Sequence, residues 1–432
     1  MKRLFPFRVI VVLGALLAAP LPSMGATMLD SGGYLALVAE KNPELAASAS
    51  RVEALYRLVE VVTGSTRPRL GLVASTGRIL REGEGESTLS LSLGKRLDLW
   101  GLDALKIRQA ELAAQLQEAR HAEFAASLMR EAETAYWNAA AGKSTAALYS
   151  SLLAQREEDL RVARLRFEQG TAAKLDVFRA EVQVEKTRAA KTEAEAALRD
   201  ALSLMARLAG GERVEPSEAP SRFEIALSAD LDAAWKARPE ARRAALEKEA
   251  AAVSTRIASL GMHPVLDASL ASTLLSDSRT AVPPESDLLL SFRLELPLYD
   301  GGQVRSEKES KKILEKSASY EEAALRAKVA MELEQASSRL VKAQALEKSR
   351  KKEAELASEE LRITRLRYRM GVGSQLELLD AQVREQAART AYLDALREMA
   401  VARAELSYAL GLGFPPQAGT GERPAGKEYP SP

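Results

Sequence analysis

Leu288-Leu289-Leu290-Ser291-Phe292-Arg293-Leu294-Glu295-Leu296 alternates over most of its length. Leu290, Phe292, Leu294 and Leu296 fall on one face of an extended chain, and Ser291, Arg293 and Glu295 on the other. A period of two with one apolar and one wet face predicts a strand, in a chain otherwise patterned for helices. Leu89, Leu91 and Leu93, set against Thr88, Ser90, Ser92 and Gly94, repeat the pattern earlier in the sequence. Leu266 to Leu274 alternates imperfectly, with large side chains at Leu266, Leu270 and Leu274. Each segment has about the length that crosses a bilayer as a tilted strand. The connecting loops, 77–87 and 276–287, are polar and rich in Gly, Pro, Ser and charge. Trp100 and Tyr299 stand at the strand exits, where either a membrane–water belt or a turn core would place an aromatic. Four strands do not close a barrel, and lipid forbids an open sheet edge. If these strands enter a membrane, several copies must share one barrel. Two copies give a filled barrel of eight strands, and three give twelve around a pore.

The rest of the chain is helical in composition. Of 432 residues, 28% are charged and 5% aromatic, with 61 Lys+Arg against 60 Asp+Glu. That balance does not point to a nucleic-acid binder or a polybasic membrane-surface protein. The absence of cysteine excludes disulfides, thiolate metal sites and lipid attachment at an N-terminal Cys. His121 and His263, the two histidines, have no companions at metal-ligand spacing. His121 is expected on a helix surface and His263 just before a strand. Phosphate loops and nucleophile elbows are missing, so no cofactor and no catalytic site are expected.

Residues 1–25 have the form of a signal peptide. Lys2, Arg3 and Arg8 precede the apolar run Val9–Ala19, and Pro20 and Pro22 follow it. Ser23-Met24-Gly25 favours cleavage after Gly25, with Ala26 nearly as good. No later stretch is apolar enough for a transmembrane helix.

The chain repeats itself. Leu160 to Gly170 aligns with Leu361 to Gly371 at an offset of 201, without a gap on to Gly210 and Gly411. Asn42-Pro43-Glu44 pairs with Arg238-Pro239-Glu240. Residues 26–215 and 216–414 are read as tandem repeats, with strands at about 70–99 and 265–298, and 415–432 as a disordered tail. Each half predicts a helical stretch of ~30 residues after Leu35 or Leu231, then two strands. A helix of ~67 residues, about 100 Å, a glycine break and a helix of ~38 residues complete it. Val329, Leu333, Ala336, Leu340, Ala343, Ala354, Ala357 and Leu361 keep a heptad seam that Glu347 and Arg350 interrupt. A periplasmic coiled-coil adaptor or tether explains such helices equally well, but not the strands.

Three pieces, in order on a duplicated chain, resemble the TolC-like outer membrane efflux proteins. They are Leu35-Ala36-Leu37 through Asn42-Pro43-Glu44-Leu45, Pro297-Leu298-Tyr299-Asp300-Gly301-Gly302, and Arg367-Tyr368-Arg369-Met370-Gly371 running into Leu376-Glu377-Leu378-Leu379-Asp380-Ala381-Gln382. The first strand exit, Lys95-Arg96-Leu97-Asp98-Leu99-Trp100-Gly101, departs from the Pro-Leu-aromatic-Asp-Gly form and looks more like the branch associated with heavy-metal efflux. The resemblance implies a mainly α homotrimer, a 12-stranded barrel in outer-membrane lipid continued by a long α-helical barrel into the periplasm. It would be the exit duct of a tripartite efflux or type I secretion system, with a periplasmic adaptor and an inner-membrane transporter of RND or ABC type.

Gly170 and Gly371 end long helices where glycine permits positive φ. The resemblance makes these turns, with Thr171, Val372, Gly373 and Ser374, the tip that the adaptor engages. It makes Glu377, Asp380 and, in the first half, Asp176 the acidic gate, although helix dipoles also favour carboxylates there. Arg161, Arg164 and Arg166 recur as Arg362, Arg365 and Arg367, with Arg369 added. They are expected to pair across the tip, to dock an acidic edge, or to form a solvated face.

Overall fold

The computed structural model describes residues 27–78, 85–220, 230–277 and 288–412. The expected signal peptide, the tail and most of both polar loops lie outside these residues.

Short β1 (Thr27–Leu29) leads into α1 (Ser31–Lys41) and α2 (Pro43–Ser65). The single helix expected here is thus two. Asn42 is extended (φ −68°, ψ 120°), its side-chain oxygen accepts from the backbone N–H of Glu44 and Leu45, and Pro43 takes the first helical position. Proline there gives up an N–H that is unpaired anyway, so Asn42-Pro43 ends one helix and starts the next. Strands β2 (Arg69–Arg78) and β3 (Gly85–Leu97) follow, then α3 (Leu102–Glu168) and α4 (Lys174–Leu208). Strand β4 (Val214–Pro216) pairs in parallel with β1. Neither short strand has a sequence signature.

The same order recurs as α5 (Leu231–Ala237), α6 (Pro239–Ser259), β5 (Val265–Asp277), β6 (Leu288–Glu295), α7 (Gln303–Arg369) and α8 (Gln375–Ala409). The break falls at Arg238-Pro239, again splitting the expected single helix. Helices α3 and α7 both have 67 residues, and α4 and α8 both have 35. Among the described residues no helix is long and apolar enough to cross a membrane.

Helices α3 and α4 form one hairpin and α7 and α8 the other, joined by packing of α3 on α8. This leaves α4 and α7 as the outer helices. The expected seam is buried at Val329, Leu333, Ala336, Leu340, Ala343, Ala354 and Leu361. Glu347 is buried in it too, at 3% exposure. The densest core lies midway along the shaft. There Tyr34, Tyr136 and Trp137 are fully enclosed, Tyr34 donates its hydroxyl to Met205 O, and Tyr136 donates to Leu29 O. Buried phenols need such partners.

His121 lies part-exposed on α3. Its Nδ1 lies 2.6 Å from Ser48 Oγ, which also lies 2.8 Å from Leu45 O. Burial holds the His121 pKa below its usual value, against the pull of Glu118.

Candidate functional site

The two ends of the shaft carry the chemistry. At one end β2, β3, β5 and β6 form a single antiparallel sheet in that order. Register assigns its faces. Leu70, Leu93 and Leu270 lie side by side, and Leu270 faces Leu290. Lys95, Ala268 and Phe292 form the next row, and Leu97, Leu266 and Leu294 the one after. One face is thus almost wholly apolar and stands open, with Leu70, Leu290, Phe292 and Leu294 each more than 60% exposed. The other carries Ser75 and Thr88 in a 2.6 Å hydroxyl contact and Ser269 and Ser291 in one of 2.7 Å. The alternation Leu266, Ala268 and Leu270 breaks at Ser272, which register sets on the apolar face between Leu91 and Leu288. The ladder shifts between Leu89 and Ser90, pairing them with Leu275 and Thr273, so Leu274 is the extra residue of a bulge. Strands β2 and β6 each have one unpaired edge.

The strand exits start the long helices. Asp98 accepts from the N–H groups of Leu102 and Asp103, and Asp300 from those of Gly302 and Val304. The backbone N–H groups of Val304 and Gly302 hold the Asp300 carboxyl below its usual pKa. Both exits therefore do one job, although the first departs from the Pro-Leu-aromatic-Asp-Gly form. Trp100 is half-exposed; its indole N–H donates to Pro264 O at 3.0 Å and its ring meets His263 edge-on. Tyr299 is 88% exposed.

At the far end both long helices stop in the same way. Gly170 (φ +71°) donates to Phe167 O and Thr171 to Arg166 O; Gly371 (φ +79°) donates to Tyr368 O and Val372 to Arg367 O. These are paired Schellman bonds, which need a left-handed residue at that position. Gly373 donates to Arg367 O. Ser374 caps α8 by accepting from the Glu377 N–H at 3.2 Å. In α4 the roles reverse: Ala173 has no side-chain acceptor, and Asp176 takes the Ala173 N–H. Asp176 also lies 3.7 Å from Arg179, so helix capping occupies it. Glu377 and Asp380 are exposed and make no ion pair among the described residues.

The arginines do not pair with those carboxylates. Arg161 binds Glu158 and Arg362 binds Glu359 on their own helices, while Arg164 reaches Glu181 of α4 at 2.7 Å. Arg166 crosses between hairpins, over the Tyr368 ring at 4.3 Å and bonded to the carbonyls of Tyr368 and Arg369. Above the tip lies a buried polar layer that the charge pattern did not reveal. Asp159 accepts from Gln382 at 2.5 Å and lies 3.8 Å from Arg365, and buried Glu385 pairs with Arg389. Arg156 Nε, Arg365 Nε, Gln375 Oε1 and Glu385 Oε2 are buried without a hydrogen-bond partner. Burial raises the Asp159 pKa despite Arg365, Gln382 and Arg156, and lowers that of Arg156.

An open apolar sheet face set on a helical shaft of ~100 Å defines an outer-membrane channel with a large periplasmic part. A family model described as outer membrane efflux protein matches residues 35–211 and 231–412, and the chain belongs to that family. Nodulation protein T of Rhizobium leguminosarum bv. trifolii is 26% identical over 402 residues, covering 88% of this chain and 85% of that one. Two solved structures share the fold. A membrane protein from Pseudomonas aeruginosa has a TM-score of 0.80 at 20% identity, over 88% of this chain and 93% of that one. The open state of the Neisseria gonorrhoeae MtrE outer membrane channel has a TM-score of 0.80 at 19% identity, over 96% of this chain and 98% of that one.

Proposed function

We propose that three copies of this chain close one 12-stranded barrel in the outer membrane and continue it as an α-helical barrel. In this reading the chain is two tandem repeats, 26–215 and 216–414, behind a signal peptide at 1–25. The assembly is the passive exit duct of a tripartite efflux or type I secretion system. A periplasmic adaptor engages the tip residues Gly170, Thr171, Gly371, Val372, Gly373 and Ser374. An inner-membrane transporter of RND or ABC type supplies the energy.

The observation that carries this reading is the sheet, apolar and exposed on one face and unpaired at both edges. Lipid tolerates the first and forbids the second. Neighbouring copies supply the missing pairing, β6 of one against β2 of the next. The outer helices fit the same closure, with Phe178 and Val182 of α4 and Met331 and Val341 of α7 each about half-exposed. Glu377, Asp380 and the less free Asp176 ring the entrance, where like charges from three copies oppose closure. The polar layer at Arg156, Asp159, Arg365, Gln382 and Glu385, in which Arg156 Nε, Arg365 Nε and Glu385 Oε2 are buried without hydrogen-bond partners, is the weak seam along which α7 and α8 part from α3.

Reconstitution in planar bilayers tests the duct, which should conduct in discrete steps; a protein that inserts but never conducts contradicts it. A photo-crosslinking residue at Val372 should trap a periplasmic helical-hairpin protein in cells. Capture of nothing but neighbouring copies of this chain removes the adaptor contact.

A further inference from the structure

The wet face of the sheet changes character towards the shaft. Ser75 and Thr88 line it farther out, whereas the rows nearest the helices carry charge, the outermost of these rows holding Arg69 beside Gly94, Ser269 and Ser291. Register sets Arg96 beside Asp267 and Asp267 beside Arg293 in one row across three strands. Arg69, paired with Gly94, lies one row farther out on the same face, and Glu295, paired with Val265, one row nearer the shaft. Asp267 sits 3.6 Å from Arg96 Nε, and both side chains stay about half-exposed. Arg69 and Arg293 are exposed and make no ion pair among the described residues. Three guanidiniums thus share this stretch of wall with two carboxylates, and the Asp267 row holds two guanidiniums against one.

We infer that Arg69, Arg96 and Arg293 form a cationic girdle at the shaft end of the barrel lumen that selects small multivalent anions, carboxylates or phosphates, over cations of similar size. The inference rests on the trimeric duct proposed above. Three copies place six guanidiniums and three carboxylates in the Asp267 row, with three more guanidiniums about 7 Å farther out and the three Glu295 carboxylates about 7 Å nearer the shaft, nine cations against six anions. Rings of arginine favour anions in pores, and low-dielectric walls focus their field. The girdle's sign is opposite to that of Glu377 and Asp380 at the tip, so the duct carries two filters of opposite charge in series.

The test uses the full-length protein in planar bilayers, with citrate as the probe. Citrate added on the barrel side reaches the girdle without passing the tip. It should block the wild type at concentrations about tenfold lower than it blocks Arg96→Gln/Arg293→Gln. The chloride-to-potassium permeability ratio should fall about threefold in that double variant. Asp267→Asn, which keeps every arginine, should raise the ratio and tighten the block, and Arg96→Lys should behave as wild type. Steps of normal conductance with the same ratio and the same citrate block in all four proteins would overturn the girdle while leaving the duct intact. A wild type that forms no channel overturns both.

Discussion

The Arg166 guanidinium lies 4.3 Å from the centre of the Tyr368 ring and donates to the Tyr368 carbonyl at 3.2 Å. One half-buried side chain thereby ties the tip of the first hairpin to the tip of the second, and it neutralises the carbonyl end of α7. A cation over an aromatic face and a charged hydrogen bond together stabilise by roughly 1–3 kcal/mol. Arg166→Ala should speed hydrogen exchange at 166–171 and 368–373 and raise the open fraction of single channels. Arg161→Ala, which removes only a surface pair with Glu158, should do neither. Equal effects from both substitutions would deny Arg166 its tie.

Glu377 and Asp380 are exposed carboxylates in the first turns of α8. If their mutual repulsion across three copies sets the entrance, Glu377→Ala with Asp380→Ala changes conductance and lowers cation preference. Unchanged single-channel records would leave them as helix-dipole partners only.

Asp159 gives the tip a pH dependence. Burial raises its folded pKa above the unfolded value near 3.8. The folded chain therefore holds that proton more tightly than the unfolded one. Its contribution is fully present below about pH 3.8 and is lost as pH rises through the folded value. The seam between α3 and α8 should loosen over that interval. Asp159→Asn should remove this part of the dependence, read as the difference in hydrogen exchange between the two proteins across acid pH. Parallel pH profiles would contradict it.

Arg238 stands where the first half has Asn42, and both are 3% exposed. Asn42 gives its amide to Leu208 O at 2.9 Å, whereas Arg238 holds Glu240 and Glu332, each at 2.7 Å. Arg238→Met strands the buried Glu240 carboxylate and should destabilise by about 3–5 kcal/mol. Arg238→Met with Glu240→Leu should recover a good part of that in thermal melts. No recovery would mean the loss is one of packing.

Phe292 tests the apolar face of β6. At 64% exposure in a single chain it lies in the row with Ala268 and Lys95. Phe292→Arg should cost about 2–4 kcal/mol near the bilayer midplane and less near an interface. Membrane assembly yield measures it, with Ser291→Arg on the wet face as the tolerated control. Equal yields would contradict the assignment of faces.

What the sequence made legible follows from local physics. The strands announced themselves at Leu290, Phe292 and Leu294 because alternation is local; in β5, Ser272 on the apolar face and the bulge at Leu274 blurred it. The long helices ended where Gly170 and Gly371 provide φ of +71° and +79°. Asn42-Pro43 hid a helix break, because a proline at the first helical position leaves the periodicity on either side intact. Arg156, Asp159 and Glu385 carry no local signal that sets them apart from the exposed charges around them. Their burial depends on α3 meeting α7 and α8, a contact across more than 200 residues of sequence that no window along the chain contains. Arg166 was visible as one of a repeated set of arginines, but its partner Tyr368 was not.

The shared barrel itself is open to direct measurement, since the chain has no cysteine of its own. Single cysteines at Leu70, Leu72 or Ala74 of β2, each combined with one at Leu288, Leu290 or Phe292 of β6, can be bridged by a short bismaleimide in native outer membranes. Closure of β6 onto the next copy's β2 predicts that at least one combination yields bands of one, two and three linked chains and none larger. Monomer alone in every combination, or a ladder that runs past three, would contradict the trimeric barrel.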